Sequence, residues 1–294
     1  MSTLLVQPQL SLRTALVIGA GPIGTSVALA LTAGGVRVHL RDTDPEVAAR
    51  AAELGAGTLE PPGGNTDLAV VAVPPGRVGA VVRECQRRGL ARHTLDVAGV
   101  KAGPLADVLA RGCDPARHIG GHPLVEGAAD GPLTARADLF RGRPWVLSPL
   151  PQTHTDTLNA ALDVVTACGA TPVLMDAAEH DRAVALVAQA PRVLTSLLAA
   201  RLEAAPPGAV RLSETGVRPR PWASEDSRGR IEALLANAPA VADVLEGLAG
   251  DIVAVVAALR AASGDGTADT GGRLTGLLAP HGTPAVRNRT DGSS

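Results

Sequence analysis

One ten-residue stretch limits what this chain can fold into more than anything else in it. Ala15-Leu16-Val17-Ile18-Gly19-Ala20-Gly21-Pro22-Ile23-Gly24 joins an apolar strand to a glycine turn, and an apolar helix follows at Thr25–Ala33. Only a few backbones turn that tightly from strand into helix. Gly19 permits the turn, Gly21 lets a ligand approach the backbone, and Gly24 lets the helix pack on the strand. A second strand is expected at Val36–Leu40, and it ends just before Asp42. Strand, triplet, helix, strand and acid in that order describe a dinucleotide site. The pyrophosphate rests on the free N–H groups at the helix start, and the acid holds the ribose hydroxyls. The residues assigned to the cofactor in this turn are Gly19, Gly21, Pro22, Ile23, Gly24 and Asp42. Asp42 favours NAD, since a carboxylate repels the 2′-phosphate of NADP. Arg41 beside it weakens that preference.

The rest of the chain extends the pattern. Apolar strands at Leu68–Val73, Thr94–Val97, around Ile119, at Pro144–Leu147 and at Thr171–Met175 alternate with helical stretches at Val78–Arg87, Gly103–Arg111 and Thr153–Cys168. This predicts an α/β fold, an N-terminal Rossmann-type doubly wound parallel sheet. After Asp176 the pattern is helical. Glu179–Ala204 is long and apolar on one side, and two further helices lie within Ile231–Ala262, with Asn237 and Pro239 between them. The expected organisation is a dinucleotide-binding domain over 1–175, an all-helical substrate and dimerisation domain over 176–262, and a mobile tail over 263–294. In that tail a short turn is expected near Leu274–Leu278.

Composition narrows the chemistry. The chain has 294 residues, 46% hydrophobic, with a formal charge of −2 and 1% aromatic residues. There is neither the basic face nor the stacking surface that nucleic acid requires. No apolar run reads as membrane-spanning, and a cytoplasmic protein is expected. Three scattered cysteines, Cys85, Cys113 and Cys168, fit reduced thiols. Lys101 is the only lysine, and tyrosine is absent. Reductases that work through a Tyr-x-x-x-Lys pair are thereby excluded, as are hydroxyacid dehydrogenases with a catalytic lysine in the second domain. Histidine is the natural remaining acid/base.

Four clusters could carry chemistry. Asp96-Val97-Ala98-Gly99-Val100-Lys101 lies at the carboxyl end of a strand, where open α/β sheets bind ligands; the alternative is an ordinary strand-to-helix loop. His118-Ile119-Gly120-Gly121-His122-Pro123 offers two histidines four apart, but nothing completes a metal site, and a single working His122 is the better reading. Glu179-His180-Asp181-Arg182 either meets ligand or caps a helix. Arg218-Pro219-Arg220-Pro221-Trp222 either binds a carboxylate or is a solvated loop.

Taken together, the clusters resemble the prephenate/arogenate dehydrogenases over roughly residues 14–262. The resemblance is carried by the Gly19 turn with Asp42, Val73-Pro74-Pro75, Asp96…Lys101, and Gly121-His122-Pro123 with Gly131 and Leu139-Phe140. His180-Asp181-Arg182-Ala183-Val184-Ala185-Leu186-Val187 completes it. It implies NAD-dependent oxidative decarboxylation of a cyclohexadiene, a homodimer built through the helical domain, and His122 as proton acceptor. It also implies cofactor contacts from Val73 and Pro74, and substrate contacts from Gly99, Lys101, Gln189, Arg192, Arg218 and Arg220. The chain departs from the family at Gly99, where serine is usual, and at Leu124-Val125-Glu126 after His-Pro. It departs again at Ala188-Gln189-Ala190-Pro191-Arg192, where Ser-His-x-Pro-His is usual. These changes gather around the substrate's C4 end. They point to 4-amino-4-deoxyprephenate, oxidised to 4-aminophenylpyruvate in antibiotic biosynthesis, ahead of prephenate or arogenate. A non-catalytic dinucleotide binder is the remaining alternative.

Overall fold

The computed structural model describes residues 10–125, 134–206, 228–262 and 269–278. Seven strands form one sheet in the order β2-β1-β3-β4-β5-β6-β7. They are β1 (Thr14–Ile18), β2 (Arg37–Arg41), β3 (Thr66–Val71), β4 (Ala91–Asp96), β5 (His118–Pro123), β6 (Pro144–Ser148) and β7 (Thr171–Leu174). The central strands are apolar and buried along their length, as strands covered on both faces must be. The helices between them are α1 (Pro22–Ala33), α2 (Pro45–Glu53), α3 (Val78–Arg88), α4 (Ala102–Ala110) and α5 (Thr155–Ala167). The main core packs Val17, Val27, Leu31, Leu68, Val70, Leu95, Ile119 and Leu147 together with Phe140 and Trp145.

The expected Rossmann-type sheet is present with one correction. It is not parallel throughout, because β6 runs antiparallel to β5 and pairs Gly121 with Leu147 and His122 with Val146. The strand around Ile119 also runs on through Gly120-Gly121-His122-Pro123. Gly121 belongs in the strand for lack of room. A Cβ on it would meet Leu95 Cδ1 at 2.8 Å and Trp145 Nε1 at 2.9 Å.

Beyond β7 the chain is helical: α6 (Ala177–Val184), a π-helical turn at Ala185–Gln189, α7 (Ala190–Glu203), α8 (Arg228–Ala236), α9 (Ala238–Ala262) and α10 (Asp269–Leu278). The last is a full helix where only a short turn was expected. Pro191 accounts for the π turn. It offers no N–H, and its ring crowds the carbonyl four residues back, so the backbone widens by one residue to pass it. The helical run Ala177–Glu203 is, by length and composition, long and apolar enough to cross a membrane, contrary to the sequence reading. Within the fold its His180, Asp181 and Gln189 are buried and hydrogen-bonded to protein groups.

The chain divides into two compact units, Met1–Val241 and Ala242–Ser294. The first holds the sheet, α1 to α8 and everything described below. The second holds most of α9 together with α10.

Candidate active site

The carboxyl ends of β1, β3, β4 and β5 share one edge of the sheet, because these strands are mutually parallel. The glycine turn lies on that edge. Gly19 has φ +99°, and a Cβ on it would stand 2.1 Å from the Ala72 carbonyl oxygen. A Cβ on Gly24 would stand 1.9 Å from the Gly19 oxygen. Both glycines are needed to bring turn, helix and β3 together. Gly21 differs, since a Cβ there would meet nothing within 4 Å. It caps α1 with no side-chain hydrogen bond, so no Gly21 side chain covers the first-turn N–H groups of the helix. That is the arrangement a pyrophosphate needs. The helix itself begins at Pro22, one turn earlier than expected.

A cavity of about 740 Å³ opens there, lined by Gly19, Gly21, Asp42, Val73, Pro74 and Arg77 among others. It falls in the size range of cofactor clefts. Asp42 accepts from Ala20 N at 2.6 Å and from Asp44 N at 2.9 Å. These two bonds fix its carboxylate at the end of β2 and leave lone pairs for a ribose diol. The residues therefore fit a dinucleotide.

The second half of the site gathers around β5. His122 Nδ1 lies 2.9 Å from His180 Nε2, and His180 Nδ1 lies 2.8 Å from Asp181 Oδ1. The two rings meet edge to face, with centroids 5.1 Å apart. A carboxylate can only accept, so His180 Nδ1 donates to Asp181. With His180 neutral, its Nε2 accepts from His122 Nδ1, and the lone pair of His122 is then on Nε2. Burial, followed by His180 and Lys101, pushes the His122 pKa down to about 3. The imidazole is neutral at physiological pH and carries a lone pair on Nε2. His122 Nε2 faces the backbone of Gly99: a Cβ on Gly99 would sit 3.6 Å from it. A side chain fits there, and this chain has none.

Asp176, just before the cluster, caps α6 by accepting from Ala178 N and Glu179 N, and Asp181 caps a different helix. Besides orienting His180, it accepts from Lys101 N at 2.8 Å and Ala102 N at 2.9 Å, capping α4 from 80 residues away in sequence. No local pattern signals such a cap.

Two expected substrate contacts are placed differently. Lys101 is not turned toward a substrate. Its side chain is 1% exposed, and its ammonium donates to Asp96 and to the Gly121 carbonyl. Burial disfavours the Asp96 charge, and Lys101 with His118 outweighs it, holding the carboxyl below its ordinary range. The lysine therefore ties β4 to β5 one residue before His122. Gln189 is also buried. It donates to the Ala233 carbonyl at 3.2 Å, and its oxygen accepts from Asn237 Nδ2 at 2.6 Å, so it joins the π turn to α8 rather than facing a ligand. Arg192 is exposed on α7. Arg218, Arg220, Gly131 and Glu126 lie outside the described residues. His118, the other histidine of the pair, bonds Thr94 Oγ1 at 2.9 Å and faces Asp96. Among the described residues no three metal-ligating groups cluster.

A cleft for a dinucleotide and a neutral histidine on one sheet edge can be set beside known proteins. Residues 27–174 match the family model described as prephenate dehydrogenase, nucleotide-binding domain. A probable prephenate dehydrogenase, NovF, from Streptomyces niveus is 48% identical over 268 residues, covering 90% of this chain and 74% of that protein. The chain belongs to the prephenate dehydrogenase family. A cyclohexadienyl dehydrogenase from Zymomonas mobilis is 27% identical, covering 85% of this chain and 89% of its own. Among solved structures, the A. aeolicus prephenate dehydrogenase in complex with hydroxyphenyl propionate and NAD+ aligns with a TM-score of 0.74 at 18% identity. That alignment covers 92% of this chain and 97% of that one. The Synechocystis arogenate dehydrogenase aligns at 0.69 and 20% identity, covering 90% and 96%. In this family member Gly99 lies beside His122 Nε2.

Proposed function

We propose that this protein catalyses the NAD-dependent oxidative decarboxylation of a prephenate-type cyclohexadiene, with 4-amino-4-deoxyprephenate as preferred substrate and 4-aminophenylpyruvate as product, in antibiotic biosynthesis. The observation that carries the reading is the line Asp181–His180–His122, which leaves the His122 Nε2 lone pair facing the space above Gly99. The nicotinamide, when bound, accepts the C4 hydrogen as hydride. The C1 carboxylate departs as CO2, and its bonding pair completes the aromatic ring. The free energy of aromatisation drives the step, so the protein's task is alignment and control of one proton. His122 Nε2 takes that proton from the C4 substituent, and His180 and Asp181 hold the ring in the accepting tautomer. The C4 amine enters the reaction as the free base, and the proton that Nε2 takes from it as hydride leaves returns to nitrogen when the ring becomes aromatic.

Gly99 supports the amino substrate because it removes the hydroxyl that a family serine would place beside Nε2. It leaves the C4 group facing the imidazole alone. Arg192, Arg218 and Arg220 are the cations offered to the substrate's carboxylates. The cleft favours NAD through Asp42. Exposed Leu186, Val187, Leu197 and Leu198 on the π turn and α7 support a homodimer formed through the helical segment, and sedimentation tests it. A second reading, prephenate itself, is supported by the name of the 48% identical relative.

The deciding experiment follows NADH formation at 340 nm with NAD and each of 4-amino-4-deoxyprephenate, prephenate and arogenate. A kcat/KM for the amino compound at least tenfold above the others is expected, and Gly99→Ser narrows the gap. Preference for prephenate would refute the amino reading and leave the oxidative decarboxylation intact. Silence with all three, while NAD binds, would refute the catalytic reading.

A further inference from the structure

At the outer edge of the nucleotide cleft, Arg41 follows β2's buried residues and immediately precedes Asp42. By position it is the side chain best able to receive a phosphate on the adenosine ribose. The structure shows it otherwise engaged. Arg41 Nη2 donates to Glu84 Oε1 at 3.1 Å, and the same oxygen accepts from Arg88 Nη1 at 2.9 Å. Glu84 is half-buried on α3. Burial works against its charge, but the hydrogen bonds from Arg88 and Arg41 hold its carboxyl below the ordinary range. Arg41, Asp42, Thr43, Arg77 and Glu84 all line the same cavity. A 2′-phosphate arriving there would meet two carboxylates, Asp42 and Glu84. To recruit Arg41 it would have to compete with Glu84 for the guanidinium.

We propose that Glu84 sets the choice of dinucleotide: by holding Arg41, it withdraws the cation adjacent to Asp42 from any 2′-phosphate and adds a second carboxylate to the phosphate's path. Glu84 acts through Arg41 and is a positioning residue. It lies 42 residues beyond Asp42 on another helix, so the usual reading of the acid at the end of β2 does not reach it. The proposal rests on the cleft taking a nicotinamide dinucleotide.

Isothermal titration of the full chain with NAD and with NADP, without substrate, tests it. NAD should bind the native protein at least tenfold more tightly than NADP. Glu84→Gln should raise NADP affinity about 5–10-fold, the gain of one charge-assisted hydrogen bond, and change NAD affinity less than twofold. Retained NAD binding also reports that the variant is folded, and Glu84→Ser should give the same direction. The gain should fall by at least half in Arg41→Met/Glu84→Gln, the remainder being relief of repulsion by the second carboxylate. An unchanged NADP-to-NAD ratio in both Glu84 variants overturns the proposal, as does a gain that survives loss of Arg41 in full or a native protein that binds NADP as tightly as NAD. Failure of the native protein to bind either dinucleotide overturns the cofactor reading itself.

Discussion

Lys101→Met tests how the strand that carries His122 is held. The ammonium that it removes is buried against Asp96 and the Gly121 carbonyl. Methionine nearly matches the volume but leaves the Asp96 carboxylate with Ala98 N at 3.0 Å and His118 Nε2 at 3.5 Å as its remaining partners. Breaking one side of a buried ion pair costs about 3–5 kcal/mol, because the other charge stays desolvated. For a unit of this size that corresponds to a fall in Tm of roughly 6–20 °C. Urea unfolding and thermal melts measure it. Asp96→Asn/Lys101→Met should recover about 1–3 kcal/mol of the loss, since the stranded charge is gone and an amide costs less to bury. Lys101→Arg should not rescue: a Cβ on Gly120 would stand only 3.1 Å from Lys101 Cδ, and a guanidinium has no room there. A single variant within 1 kcal/mol of the native protein, or a double variant no better than the single, would refute the account of Lys101 as a buried tie.

His122→Asn should leave NAD binding within about twofold and lower kcat by roughly two to four orders of magnitude, measured by titration and at 340 nm. His180→Phe removes the acceptor for His122 Nδ1 and frees the wrong tautomer. A fall in kcat of about 10–100-fold with an unchanged KM for NAD is expected, whereas a merely structural role would move both. The depressed His122 pKa fixes a sign. The unfolded chain binds a proton near pH 6.5 that the folded chain refuses until about pH 3, so stability is full above 6.5 and declines as pH falls through that window. Urea midpoints between pH 8 and pH 4 should fall toward acid, and His122→Asn should flatten the slope. Gly24→Ala drives a Cβ into the Gly19 carbonyl and should cost about 1–3 kcal/mol together with dinucleotide binding.

Much of this arrangement is legible in the chain because the responsible residues are local. The glycine turn, Asp42 and the apolar strands need only their neighbours, and so they read directly. Elimination leads to histidine, since a chain with one lysine and no tyrosine has few other bases, and the resemblance singles out His122. Direction and distance are harder. An apolar strand looks the same parallel or antiparallel, so the reversal of β6 leaves no mark on its residues. Asp181 meets α4, Asn237 meets Gln189 and Glu84 meets Arg41 across 79 to 80, 48 and 43 positions. The resemblance implies ligand contacts at Lys101 and Gln189 because each stands in a motif of the family. The fold used them instead as internal fasteners, since a buried polar group must find a partner wherever it lies.

Trp145, which sits on β6 directly opposite Pro123, also gives the protein an optical property. Its ring is fully buried against Phe140, centroids 5.1 Å apart, and its Nε1 has no hydrogen-bond partner among the described residues. The chain has one other tryptophan, Trp222, and no tyrosine to blur the signal. An indole so dry emits at the blue end of its range, while any opening of β6 from β5 would admit water and redden it. In Trp222→Phe, the ultraviolet emission of this protein becomes a built-in gauge of whether the strand beneath His122 is seated.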